Sequence, residues 1–236
     1  MNLFPQTALK VLSGGAVQRG LVSLAKAFED ETSHKIIFAF ATAPVLRRRL
    51  ARDEGAFDIV VAPLPLMKEV EPTGFIIAGS SAVIGGVRAG VVVRENSSEP
   101  DISSAEALKK EILASRSLVY NEGSSGIFVE KLLERLGVAE QAKAKTTRVP
   151  DAEAVIRHLA SSTVEKEIGF GQITAILAHF GRGVKLVGPL PKEVENVTVY
   201  AAAVSAKTNA PEVAAQFIRF LVTPSAKEAF KATGVE

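Results

Sequence analysis

The chain has 236 residues, 47% of them hydrophobic and 23% charged, with 28 basic side chains against 26 acidic ones and a formal net charge of +2. That length buries a core in one large domain or two small ones, and the even charge balance excludes a disordered chain and a basic face for nucleic acid. With no cysteine, disulfides, thiolate metal sites and a cysteine nucleophile are excluded as well.

No run of about 18 apolar residues is present, so no membrane insertion is expected. The start, Met1 to Thr7, has neither a basic nor an apolar leader region, so the chain as written carries no signal peptide. It is cytoplasmic if Met1 is the native start.

In chain order, Ala8 to Leu12 reads as a buried strand and Val17 to Glu31 as a helix with apolar residues at 17, 21, 24, 25 and 28. Ile36 to Phe40 is an all-apolar strand, as in a parallel sheet covered on both faces. Pro44 opens a helix that runs through Leu46 and Leu50 to about Asp53. Phe57 to Ala62 is a third strand, closed by Pro63 and Pro65. Alternating strands and helices predict a doubly wound parallel sheet.

From Phe75 to Val93 the residues are small and apolar, which suits strands crossing between two lobes. A second α/β pattern follows: helix from about Ser104 to Ala114, strand Ser117 to Tyr120, helix Ser125 to Leu136 closed by Gly137, and strand Thr146 to Val149. Asp151 then caps a helix from Ala152 to about Ala160. Strand Ile168 to Gly171, helix Ile173 to Phe180 and strand Val184 to Val187 complete it. Val197 to Ser205 is an extended return, and helices Pro211 to Val222 and Ser225 to Thr233 close the chain. The fold class is therefore α/β: two doubly wound lobes joined by two crossing strands, residues 1–82 with 202–236 and residues 83–201, with a cleft for a small ligand between them.

Four strand-to-helix junctions carry small or hydroxyl-bearing residues: Ser13-Gly14-Gly15-Ala16, Thr42-Ala43-Pro44, Ser124-Ser125-Gly126 and Asp151-Ala152. The first N–H groups of a helix have no intrahelical acceptor and stand at the positive end of its dipole, which seats an anion. No Lys-Ser or Lys-Thr follows the first glycines, so they do not open a phosphate-binding Walker loop. Gly169-Phe170-Gly171 is not a dinucleotide fingerprint, and no cofactor is expected. His34, His158 and His179 have no paired spacing, so no metal is expected either. Asp58 reads as a structural partner of backbone amides. Tyr120, Asn121 and Glu122 end a strand as pocket wall or as acid–base groups. The basic run Arg47-Arg48-Arg49 reads as a solvated helix face.

The order of these motifs resembles the molybdate-binding type of bacterial solute-binding protein, with the type 2 periplasmic binding fold, over nearly the full length. The matching stretches are Val11 to Leu21, Phe38 to Leu50, Phe57 to Ala62, Gly126 to Gly137, Ile168 to Phe170, Tyr200 to Val204 and Pro211 to Gly234. The resemblance implies a periplasmic, monomeric protein that holds a small anion and passes it to an ABC-transporter permease. Where that family places two oxyanion-binding serines, this chain has Ala16 and Ala43, and the family's tyrosine falls on Phe170. Each lost hydrogen bond to a buried charge costs about 1–3 kcal/mol, so molybdate is not the expected ligand. Ser13, Thr42, Ser124, Ser125 and Gln172 suit an organic carboxylate, with Arg48, Arg49 and Arg157 as candidate counter-charges, since arginine grips a carboxylate through two parallel bonds.

The chain also resembles isomerases of unsaturated carboxylic acids, of the aconitate isomerase kind. In that reading Glu122 or His158 is the base that moves a proton within the same cleft. A third reading, the effector lobe of a LysR-type regulator, lacks a helix-turn-helix segment in this sequence.

Overall fold

The computed structural model describes residues 7–236; the leader reading of residues 1–6 lies outside them. The chain forms two compact units. One runs up to Val87 and resumes over Thr198–Glu236, and the other is Arg88–Val197. The chain leaves the first unit within strand β4 (Ala82–Arg94) and regains it at the start of strand β9 (Val197–Val204). The boundaries expected from the sequence, at 82/83 and 201/202, fall inside the same two strands.

In the first unit, β1 (Ala8–Gly14) pairs in parallel with both β2 (Lys35–Ala41) and β3 (Ile59–Pro63), and β9 runs antiparallel to β3. Successive residues of these strands enter different cores. Val11 and Val61 pack on one face with Phe28 and Phe217, while Leu12 and Val60 pack on the other with Leu46 and Leu66. Burial on both faces is why β3 reads as an unbroken apolar run; β1 is buried throughout only from Val11 onward, and the exposed Ala8 and Lys10 depart from the buried strand expected there. The first core is closed by α1 (Gln18–Thr32), α9 (Pro211–Leu221) and α10 (Pro224–Lys231), with the Phe28 and Phe217 rings 5.0 Å apart. Thr223 caps α10 by accepting from Ala226 N.

Strand β2 departs from the expectation of burial on both faces. It is the edge of its sheet, and Ile37 is 53% exposed. Pro63 and Pro65 do not simply end a strand either. Helix α3 (Leu64–Val70) starts at once, with Pro65 in its first turn where no N–H is required. The apolar stretch from Phe75 resolves into one long strand, β4, rather than several.

In the second unit, β4 lies antiparallel to both β7 (Glu167–Gln172) and β8 (Val184–Pro189), while β7, β5 (Ser117–Asn121) and β6 (Thr146–Val149) are parallel. Helices α4 (Ala105–Ala114), α5 (Ser124–Arg135) and α7 (Ala152–Ser161) follow the predicted pattern. Gly137 closes α5 at φ 69°, a left-handed conformation that suits glycine. The short α6 (Ala139–Lys143) was not anticipated, and α8 stops at Leu177 instead of Phe180, which is 81% exposed beside Gly181 at φ 76°.

Candidate functional site

Parallel pairing brings the carboxyl ends of β1, β2 and β3 to one edge of the first unit: Gly14 stands beside Ala41 and Ser13 beside Val61. The antiparallel β9 adds Tyr200 opposite Pro63 at that edge. Tyr200 is buried, and a β-carbon on Gly14 would meet its Cε1 at 2.7 Å, so the first turn approaches the ring as only glycine allows. A 3-10 turn over Gly15–Val17 then leads into α1, with Gly15 exposed and Ala16 half-buried. Thr42 and Ala43 open α2 (Ala43–Ala51), and the Thr42 hydroxyl does not cap the helix. Ser13 is fully buried and donates to the Gly14 carbonyl at 3.1 Å, so its hydroxyl is turned to the backbone.

The second unit repeats the device. The carboxyl ends of β5, β6 and β7 lie at one edge, bringing Asn121, Val149 and Gln172 there, and Glu122 N donates to Val149 O at 2.9 Å. Asn121 and Ser125 are each 5% exposed. The Asn121 Oδ1 accepts from Gly123 N at 2.7 Å, and its Nδ2 donates to Ser125 Oγ at 3.1 Å. Ser124 is half-buried at the first position of α5, and Glu122 is exposed in the turn before it. Asp151 caps α7 by accepting from Ala154 N at 2.8 Å, which uses its carboxylate within the helix and leaves Ala152 half-buried behind it. Gln172 is buried where β7 meets α8.

Several sequence candidates lie elsewhere. Arg48 and Arg49 sit in the last turn of α2, where cations complement the negative helix end. The Arg49 guanidinium lies 5.9 Å from the Phe57 ring centroid. Arg157 is exposed past the middle of α7. The structure therefore gathers none of the three at the helix starts as a counter-charge. Phe170 is 1% exposed inside the apolar core with Val91 and Val129, its ring directed into that core.

His158 is also displaced from the turns. Its Nε2 lies 2.9 Å from Oε1 of Glu167, the first residue of β7, which pairs with Ser117 at the start of β5. That is the opposite end of these strands from Asn121 and Gln172, about 16 Å along β7 at some 3.3 Å per residue. Burial pushes the Glu167 carboxyl up, but the nearby Ser162 and Ser117 side chains and the hydrogen-bonded His158 outweigh it and hold its pKa below the ordinary value. The pair is an internal brace. Asp58 likewise is structural, accepting from Lys10 N at 2.8 Å and Thr208 Oγ1 at 2.6 Å.

The first unit also has a groove of about 440 Å³ near the carboxyl ends of α2 and α3, floored by Leu50, Leu66 and Phe75. Its charged rim is satisfied internally, Arg47 by Glu69 and Lys207 by Asp53. Among the described residues no three His, Asp or Glu side chains are placed to hold a metal ion, and no helix is long and apolar enough to cross a membrane.

The profile described as bacterial extracellular solute-binding protein matches residues 9–236. Among curated proteins, an aconitate isomerase from a Pseudomonas species is 28% identical over 238 residues, 98% of this chain and 88% of that protein. Among solved structures, the periplasmic molybdate-binding protein of Azotobacter vinelandii superposes with a TM-score of 0.76 at 18% identity, over 97% of this chain and 98% of that one. The substrate-binding domain of a putative molybdenum ABC transporter from Clostridium difficile gives 0.74 at 14%, over 98% and 99%. The sulfate-binding protein of Mycobacterium tuberculosis gives 0.73 at 14%, over 98% and 86%. At these identities the structural matches establish the fold, that of the type 2 periplasmic binding proteins.

Proposed function

The chain belongs to the bacterial extracellular solute-binding proteins, and from that membership and the turns just described we propose that it binds a small organic carboxylate and delivers it to an ABC-transporter permease. The observation that carries this reading is the α5 start, where Ser124, the buried Ser125 and unpaired helix N–H groups stand together at the strand edge. Gly15, Ala16, Thr42 and Ala43 offer the corresponding groups in the first unit. The charge of the ligand is met by helix dipoles, each equivalent to about half an elementary charge, so no arginine is required. Molybdate is disfavoured because the positions of the family's oxyanion serines are Ala16 and Ala43.

A thermal-shift screen of molybdate, sulfate, di- and tricarboxylates and aromatic acids tests the reading, since a ligand of the folded state raises the melting temperature by mass action. A shift with carboxylates and none with molybdate is the expected result. Shifts with inorganic oxyanions alone refute it.

A second reading, isomerisation of an unsaturated carboxylic acid, is favoured by the aconitate isomerase relative. Of the two bases considered, Glu122 stands at the turn and His158 does not. Proton NMR of trans-aconitate incubated with the protein in deuterated water separates the readings. Deuterium in the ligand or a new isomer makes the protein an enzyme, and an unchanged spectrum leaves a receptor.

A further inference from the structure

We infer that β2 is a pairing edge for a second copy of this chain, which adds its own β2 antiparallel across a two-fold axis at Ala39. Lys35 N donates to Thr7 O at 2.8 Å, so Lys35, Ile37, Ala39 and Ala41 turn their backbone groups to β1, and the residues between them turn theirs outward. Ile36 shows the outward direction, since its N–H is taken not by β1 but by Glu29 Oε1 at 2.8 Å. Inside the strand this leaves the outward N–H and C=O groups of Phe38 and Phe40, and among the described residues no strand lies beyond β2. An open edge of this kind is a template for another strand, and edges are ordinarily blunted by charge or proline. Here no charge lies between Ile36 and Leu46 and no proline lies within β2. Lys35, the one charge of the strand, is held by Glu29 at 3.0 Å, so two β2 edges meet without opposing like charges. Pairing Phe38 of each copy with Phe40 of the other lets each pair exchange both of its backbone bonds and keeps Ile36 on Glu29. A register centred on Phe38 needs the Ile36 N–H instead and gives up that charge-assisted bond. The Phe38 and Phe40 rings already stack at 5.1 Å, and the rings of the second copy continue the row on the same face. The contact is isologous and closes at a dimer. It is small beside the roughly 1,200 Å² of a stable interface, so the dimer is weak and fills as concentration rises.

Ala39→Cys tests the register, because the chain has no cysteine of its own. At the two-fold axis the substituted position faces itself as a non-hydrogen-bonded pair, with Cα atoms about 4.5 Å apart, within the reach of a disulfide. Ile37→Cys is the control. Its two copies stand four positions out of register, about 13 Å apart at some 3.3 Å per residue, beyond that reach. Sedimentation equilibrium of the full wild-type chain over rising concentration, with non-reducing gels of the two variants after mild oxidation in air, reads the pairing, and thermal melts check that both variants fold. The expected result is a weak monomer–dimer equilibrium in wild type, a covalent dimer from Ala39→Cys that reductant reverses, and none from Ile37→Cys. Equal cross-linking of both variants assigns the bond to random collision and overturns the proposal, as does Ile37→Cys cross-linking alone. Open-ended larger species in place of a dimer overturn the closed pairing. A wild-type chain that stays monomeric at millimolar concentration overturns it as well, and leaves the edge to a strand of a different protein.

Discussion

A β-carbon on Gly126 would stand 1.5 Å from the carbonyl oxygen of Asn121 and 2.6 Å from its carbonyl carbon. Helix α5 thus rests directly on the end of β5, and the serines at its start are placed by backbone contact. Because the obstacle is backbone, no side-chain rotation relieves it. Gly126→Ala is expected to cost about 3 kcal/mol or more, at or beyond the upper end of ordinary overpacking. Gly15→Ala, where nothing lies within 4 Å of the added carbon, is expected to stay within about 0.5 kcal/mol of wild type. Urea midpoints for the two variants check the contrast, and equal midpoints would refute the packing argument.

The second unit carries a buried brace that gives stability a defined acid limb. Glu167 accepts from His158 at 2.9 Å, and although burial pushes its pKa up, the nearby Ser162 and Ser117 side chains together with His158 hold it below the ordinary value. A carboxylate with a lowered folded-state pKa contributes stability that is present above its unfolded pKa and lost as pH falls through the folded one. Glu167→Gln is expected to destabilise the protein by about 1–3 kcal/mol at neutral pH and to flatten the loss of stability below the ordinary carboxylate range. Denaturant midpoints from pH 7 downwards test this, and an unchanged acid limb would remove Glu167 as its source.

Lys145 closes the far end of α4. Its Nζ donates to the carbonyls of Ile112 at 2.7 Å, Leu113 at 2.9 Å and Ser115 at 2.7 Å. These are carbonyls at a helix end that lack intrahelical donors. Lys145→Met keeps most of the apolar stem and removes the donors, so about 1–3 kcal/mol should be lost. Faster amide exchange at the end of α4 than in α5 of this variant would locate the effect, and uniform change across the unit would not.

The alternation of strands and helices was legible because β3, β5, β7 and the Val11–Gly14 half of β1 are buried on both faces and read as small or apolar runs flanked by turn residues. The same criterion failed for β2, whose apolar side chains lie on an exposed edge, since composition does not reveal strand order. Helix α3 was missed because Pro63 and Pro65 signal a strand end as strongly as a helix start. The Asp151 cap was readable from one residue, whereas the Asn121 and Ser125 bonds join side chains four residues apart across a turn whose geometry only the fold supplies. Arg48, Arg49 and His158 were singled out by chemical type alone. Which end of a helix or strand they occupy depends on how the elements are placed.

The alanines at the first two turns make a gain-of-function test possible. Ala16 and Ala43 are half-buried beside helix starts in the first unit, and the sequence resemblance to the molybdate-binding type implies that they stand where that family carries serines. Both are only half-buried, so the small added hydroxyls of Ala16→Ser and Ala43→Ser should leave the fold intact. Each added hydroxyl that donates to an oxyanion is worth about 1–3 kcal/mol, or roughly tenfold in affinity per 1.4 kcal/mol. The double variant is therefore expected to bind molybdate and tungstate measurably where wild type does not. Phe170→Tyr should not add to this gain, because Phe170 is 1% exposed and its added hydroxyl would enter the apolar core. It should instead lower stability, since an unpaired buried hydroxyl costs about 1–3 kcal/mol. Isothermal titration of wild type, the serine double variant and Phe170→Tyr with molybdate decides the matter. Submicromolar binding by wild type would refute the case against molybdate, and a double variant that still ignores it would show that these turns do not face the anion.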